Sequence, residues 1–238
     1  MKHIKSTLLL LSIPMLLTGC FGQSISKEKM LTQIDNARTA TAVDSSKIDN
    51  VKIHNKLSID SYNYKAGEFY AHRYFALALI VPISYGEYTW KEDGKYYHAH
   101  KELTKDLVTK EIDEVLFNQY MEDHRLTISQ KLRSPLDSVQ NLIEGKDDTY
   151  TVESNKFTYT ALSKEYKSAT KVSFQTTDPD NSEQQITREK TFTLVLKNSL
   201  PKTYTIKENW EKGSEEKWTY SYGNAEFNNP SGNTSESN

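Results

Sequence analysis

The feature that most constrains this chain is a repeated period-two alternation in its C-terminal third. Val172, Phe174 and Thr176 alternate with Lys171, Ser173 and Gln175, and Phe192, Leu194 and Leu196 alternate with Thr191, Thr193 and Val195. The same beat returns at Tyr204 and Ile206, and again at Trp218, Tyr220 and Tyr222. Successive side chains on a strand point to opposite faces, so this pattern buries one face and wets the other. Turn-forming stretches separate the runs: Asp178-Pro179-Asp180-Asn181, Asn198-Ser199-Leu200-Pro201 and Lys212-Gly213-Ser214. Together they predict an antiparallel meander. Earlier, YGEYTWKEDGKYYHAHK predicts a hairpin turning at Asp93-Gly94. Val51, Ile53, Leu57 and Ile59, alternating with Lys52, His54, Lys56 and Ser58, read as one further half-buried strand.

Helical spacing appears in two places. Ser26 is suited to cap a helix reaching about Ala37, with Met30, Leu31 and Ile34 on one side. In the middle of the chain, Ile112, Val115, Leu116 and Tyr120 follow helical spacing. Ser134-Pro135 then reads as the start of another helix, with Leu136, Val139, Leu142 and Ile143 on its apolar face and Gly145 ending it. Residues 68–84 are apolar on both faces from Tyr74 onward. Their neighbours and Ile80-Val81 favour one long, curved, buried strand that Pro82 ends or bends; their Ala and Leu content suits a helix. The expected fold class is α+β, with a curved antiparallel sheet wrapped over a few helices.

The N-terminus sets the location. Lys2 and Lys5 precede an apolar run from Thr7 to Leu17, and Thr18 and Gly19 lead into Cys20. As a helix that run spans roughly 16 Å, about half of a bilayer core, so it reads as a secretory signal and not as a span. Leu17-Thr18-Gly19-Cys20 resembles the lipobox of bacterial lipoproteins. That resemblance implies cleavage before Cys20, a diacylglycerol on the Cys20 sulfur, and a protein held on the extracytoplasmic face of the cell membrane. Cys20 is the single cysteine in the chain, at the one place where this chemistry needs it. The organisation expected is a signal peptide over 1–19, a lipidated tether over 20–27, a domain over 28–222 and a disordered polar tail over 223–238.

Composition excludes more than it selects. Formal charge is −2, and removal of the signal takes away two more lysines, so nucleic acid is not the expected partner. An acylated Cys20 leaves no thiol for a disulfide, and the core alone must hold the domain. No cofactor is expected beyond the covalent lipid.

Element order, size and export also give a looser similarity to half-barrel lipoproteins of the LolA and LppX type. It implies a concave apolar cavity, for which Phe75, Leu77, Leu79 and Val81 would supply one wall and Tyr204, Ile206 and Trp218 the other. The ligand would be a lipid or another hydrophobic or amphipathic molecule. The same residues filling a dry core would instead leave a surface module that serves a neighbouring envelope protein. Enzyme chemistry has little to stand on. No Gly-x-Ser-x-Gly elbow or phosphate-binding glycine loop is present, and the acids from Glu208 to Glu216 alternate with lysines as a solvated hairpin tip does. His98 and His100 share a strand face at the spacing of many metal pairs, yet need a third ligand such as His54 or His72. No metal or catalytic residue is expected.

Overall fold

The computed structural model describes residues 22–56, 58–65, 68–77, 81–101 and 107–223. Leu17, Thr18, Gly19 and Cys20, Leu79 and residues 224–238 lie outside them, as do the side chains of residues 72–84. In chain order the elements are β1 (Gln23–Ser24), α1 (Lys27–Ala40), a 3-10 turn (Ser46–Ile48), β2 (Asn50–His54), β3 (Ser58–Lys65), β4 (Glu68–Leu77) and β5 (Val81–Glu92). There follow β6 (Lys95–Lys101), β7 (Val108–Ile112), α2 (Glu114–Glu144), β8 (Thr151–Thr160), β9 (Glu165–Asp178), β10 (Asn181–Lys197), β11 (Leu200–Glu208) and β12 (Glu215–Tyr222). The fold is α+β, and its described strand pairs are antiparallel. The chain forms two compact units: Met1–Ala37 with Pro135–Glu215, and Arg38–Ser134 with Glu216–Asn238.

In the first unit the strands run β1, β8, β9, β10, β11. Their alternation delivers Val172, Phe192, Leu194 and Leu196 to one face, where they are buried with Phe157. Met30, Ile34 and Ala37 of α1 and Leu136, Val139, Leu142 and Ile143 of α2 complete the unit's buried set. Ser26 caps α1 as expected, its Oγ accepting the Lys29 N–H at 3.2 Å. Gly145, at φ +68°, closes α2: its N–H donates to Leu142 O and the Lys146 N–H to Asn141 O.

In the second unit the strands run β12, β2, β3, β4, β5, β6, β7. Val51, Ile53, Tyr62, Phe69, Trp90 and Ala99 are buried on them, as are Phe117, Met121, Ile128 and Leu132 of α2. Arg125 ties α2 to the segment after α1. Its Nε donates to Val43 O at 2.6 Å and its Nη2 to Ser45 O at 2.9 Å, while Nη1 lies 3.1 Å from Asp49 and the guanidinium covers the Tyr64 ring.

Three expectations are corrected. First, residues 68–84 do not make one strand: β4 and β5 pair antiparallel, with Leu77 opposite Val81 and Ala76 opposite Pro82. The described pairing of β5 with β6 starts only at Gly86, so the missing N–H of Pro82 costs no bond there. Second, the alternation from Val51 to Ile59 is a hairpin. Asn55 breaks it by accepting the Ser58 N–H on Oδ1 at 2.7 Å while its own N–H donates to Ser58 O. Third, Ser134-Pro135 does not begin a helix, because α2 runs unbroken through Pro135. The N-terminus of α2 is at Asp113, whose Oδ1 accepts the Leu116 N–H, and Val115, expected on an apolar face, is 78% exposed. Gln23 and Ser24 pair with Tyr159 and Thr158, and the Ile25 N–H donates to Phe157 O.

Leu136 is fully buried in the first unit, so Leu136→Ala should lower stability by about 2–5 kcal/mol. Asp113→Ala, which removes only a cap, should cost about 1 kcal/mol. Urea denaturation of the two variants checks both magnitudes and their order.

Candidate functional site

Two constellations of polar side chains stand out, one in each unit. The second unit holds the histidines. Register places Phe69 opposite Thr89 and Thr89 opposite His98, with Glu87 opposite His100 in the next row of the same face. Tyr120 and His124 lie one turn apart on α2, and both meet this face. His98 stacks on Tyr120 with ring centroids 4.3 Å apart, and His124 stacks on Phe69 at 3.6 Å. Between them the Thr89 hydroxyl, fully buried, lies 3.2 Å from His98 Nδ1 and 3.2 Å from His124 Nε2. Glu87 Oε1 is 3.7 Å from His124 Nε2.

Burial, reinforced by the neighbouring His98, pushes the His124 imidazole down to about 3. Burial also lowers His98, with His100 and Lys110 adding to the effect. Glu87 is pushed up by burial, against the pull of His100. A hydroxyl has one proton and two lone pairs, so Thr89 can join two neutral imidazoles by donating to one and accepting from the other. This is a satisfied polar core. His98 and His100 do share a face, 6.4 Å apart, but His98 spends Nδ1 on Thr89 and a ring face on Tyr120. His54 is exposed on β2, and the His72 side chain lies outside the described set. Among the described residues no three His, Cys, Asp or Glu side chains converge to hold a metal ion.

The first unit holds an open groove of about 290 Å³. Phe174 stands opposite Arg188, and Lys190 opposite Glu208, so alternate positions of three strands line one face, joined by Thr176 and by Trp210 beyond β11. The Arg188 guanidinium lies 4.7 Å from the Trp210 ring centroid, and Lys190 Nζ lies 4.7 Å from that of Phe174. Tyr150 meets both Phe174 and Phe192 edge-on. Burial acts to raise the Glu208 carboxyl. The Ser214 N–H and O–H, together with Lys190 at 3.5 Å, outweigh it and hold Glu208 below its ordinary value. That carboxylate is therefore spent internally. Arg188 has no carboxylate within ion-pair distance among the described residues, and its charge faces the groove.

Beside the groove, β9 and β10 outgrow their neighbours. The pairing of β8 with β9 stops at Ser173, and that of β11 with β10 stops at Lys190, with one further bond from the Asn209 N–H to Glu189 O. From Phe174 to Arg188 the hairpin runs on without a flanking strand among the described residues. An unflanked strand edge offers main-chain donors and acceptors to an added strand.

The cavity residues expected from the sequence fall on strands of both units, and Leu79 lies outside the described residues. Tyr204 is buried in the first unit, with its hydroxyl 3.1 Å from Ser138 Oγ of α2. Ile206 is half-buried on β11 and Trp218 half-buried on β12 of the second unit. Phe75 and Leu77 fall on β4 and Val81 on β5. Sequence reasoning missed Thr89, His124, Arg188 and Trp210. Arg188 carried a usable signal, as one of few arginines in a lysine-rich chain that follows an alternating run.

No family model matches the chain, and no curated protein matches it. Among solved structures, the DNA polymerase III subunit beta from Pseudomonas aeruginosa overlies it with a TM-score of 0.18 and 10% identity, covering 87% of this chain and 66% of that one. The Helicobacter pylori beta clamp bound to a DNA ligase peptide gives a TM-score of 0.16 at 8% identity, covering 89% and 68%. The beta subunit from the DNA polymerase of Streptococcus pyogenes gives 0.15 at 10%, covering 88% and 66%. The chain thus spans about two thirds of the length of these proteins. Superposition at such scores assigns neither fold nor function.

His124 makes stability depend on pH. In the unfolded chain it takes a proton below about 6.5, but in the fold only near 3, so the unfolded state binds more protons across that window. Stability is greatest above 6.5 and falls as pH drops toward 3. Between pH 7 and pH 5 this group alone should remove about 2 kcal/mol. His124→Phe keeps a ring stacked on Phe69 and should flatten that slope, as read from urea midpoints at the two pH values.

Proposed function

We propose that this chain is a non-enzymatic, lipid-anchored protein of the extracytoplasmic membrane face that docks an extended segment of a neighbouring envelope protein. The observation that carries the docking role is the β9–β10 hairpin, which outruns its flanking strands beside a groove where Arg188 lies against Trp210 and has no carboxylate in ion-pair range among the described residues. The segment it suits adds as a strand along the free edge of β10. It carries a carboxylate at the level of Arg188 and Lys190, and an apolar residue against Phe174 and Trp210. A basic residue about five positions away would meet the acidic tip formed by Asp178, Asp180 and Glu183. Anchoring is supported by the lipobox-like Leu17-Thr18-Gly19-Cys20, with β1 beginning three residues after the cysteine.

The second reading is a carrier in which a half-barrel sheet encloses a lipid or other hydrophobic ligand. The packing of Tyr204 against Ser138 favours a filled core over such a wall. Native mass spectrometry after detergent-free purification separates the two readings, because a carrier retains extractable lipid and a docking module does not.

Two outcomes are expected in living cells. Cys20→Ala should move the protein out of the membrane fraction and abolish diacylglycerol on the chain, read by fractionation and mass. A photo-crosslinker at Ile186 should give a discrete adduct whose partner peptide is an extended acidic segment. Arg188→Glu should reduce that adduct by about tenfold, the loss expected for a central anchor. An adduct indifferent to Arg188→Glu would remove the groove from the proposal.

A further inference from the structure

Gly22 runs against β8, so close that a Cβ added to it would lie 3.1 Å from Thr158 Cβ and 3.3 Å from Thr160 Oγ1. Cys20 is two residues away, which is at most about 7 Å of covalent chain. The turn that follows Thr160, Ala161 to Lys164, is therefore next to the point where an acylated cysteine must enter the bilayer. Its tip is Leu162, which is 79% exposed. Register brings the β10–β11 turn to the same end, since Lys197 pairs with Glu165 on one side and with Leu200 on the other.

Charge at this end is mainly positive, with Glu28 and Glu144 beside Lys27. The segments 22–27, 158–168 and 196–203 contain Lys27, Lys164, Lys167, Lys197 and Lys202, against a single acid, Glu165. Glu165 is already paired with Lys202, whose ammonium holds that carboxyl below its ordinary value. An exposed leucine that shares its turn with Lys164, at the end of the unit where Lys197 also lies and within covalent reach of a lipid anchor, has the chemistry of an interfacial contact: the apolar tip enters the acyl boundary and the cations meet headgroup phosphates.

We infer that this turn end of the first unit is a membrane-docking surface, with Leu162 entering an anionic bilayer and Lys164 and Lys197 contacting its headgroups. The inference rests on the proposed acylation of Cys20. Two acyl chains hold the protein on the membrane; the turn end decides which way the unit stands.

The test uses the mature acylated protein carrying Leu162→Cys, labelled with an environment-sensitive fluorophore. Acylated Cys20 has no free thiol, so the label goes to position 162 alone. The protein is reconstituted into vesicles of one part phosphatidylglycerol to two parts phosphatidylcholine, doped with a quencher in the acyl region. Fluorescence at 162 should shift to the blue and be quenched, while the same label at Lys212→Cys, in the turn at the other end of the strands, should not. Lys164→Glu with Lys197→Glu should cut the quenching at 162 by half or more. Labels at 162 and 212 that are equally solvent-exposed on an acylated protein would overturn the inference and leave the anchor intact. A Cys20 that takes up the dye and lacks the diacylglycerol mass would overturn the anchor reading, and the inference with it.

Discussion

The hydrogen-bond register between β9 and β10 is the constraint on which the first unit depends. It runs from Lys197 opposite Glu165 to Gln185 opposite Thr177 without a slip. Because strand side chains alternate, a shift of one residue would turn Phe192, Leu194 and Leu196 out to water and bring Thr191, Thr193 and Val195 in. The same parity that buries Leu194 carries on to Lys190 and Arg188 farther along the strand. One face is thus dry core at one end and cationic groove at the other, and the groove cannot be lost without misplacing the core.

The second unit rests on a different kind of closure. Thr89, His98 and His124 place three polar groups in a region lined by Phe69 and Tyr120, where an unmade hydrogen bond is expensive. A single hydroxyl serves both imidazoles, donating to one and accepting from the other, and burial keeps the charged forms unfavourable. The arrangement fixes how α2 sits on β4, β5 and β6 more narrowly than apolar packing would, because Thr89 must reach both rings at once.

Much of this fold is legible in the sequence, and the failures share a cause. The C-terminal strands, their turns and the Asp93-Gly94 hairpin follow from alternation and turn chemistry, and Asp93 and Gly94 indeed take the positive φ values that such a turn requires. Misread segments are those where a local signal had two meanings. Ser134-Pro135 has the composition of a helix start, yet packing on both sides of Pro135 carries α2 through it, with Leu132 and Leu136 both fully buried. The alternation from Val51 to Ile59 continues in phase across a hairpin, so periodicity alone hides the bend that Asn55 makes. The sites were less legible still. His98 and His100 are visible as a pair, but the residues that occupy His98, Thr89 and Tyr120, come from another strand and a distant helix. Trp210 and Phe174 meet only because three strands align.

The length of β9 sets a distance. From Glu165, at the turn end, to Phe174, in the groove, the strand climbs nine residues, or about 30 Å. The hairpin therefore holds the turn end and the groove apart by roughly the thickness of a small domain. That separation changes in coarse steps. Inserting or deleting one residue pair in each strand keeps every side chain on its face and moves the groove by about 7 Å, whereas a single residue inverts the face. A hairpin of this kind can therefore lengthen or shorten only by whole steps if both of its faces are to keep their character.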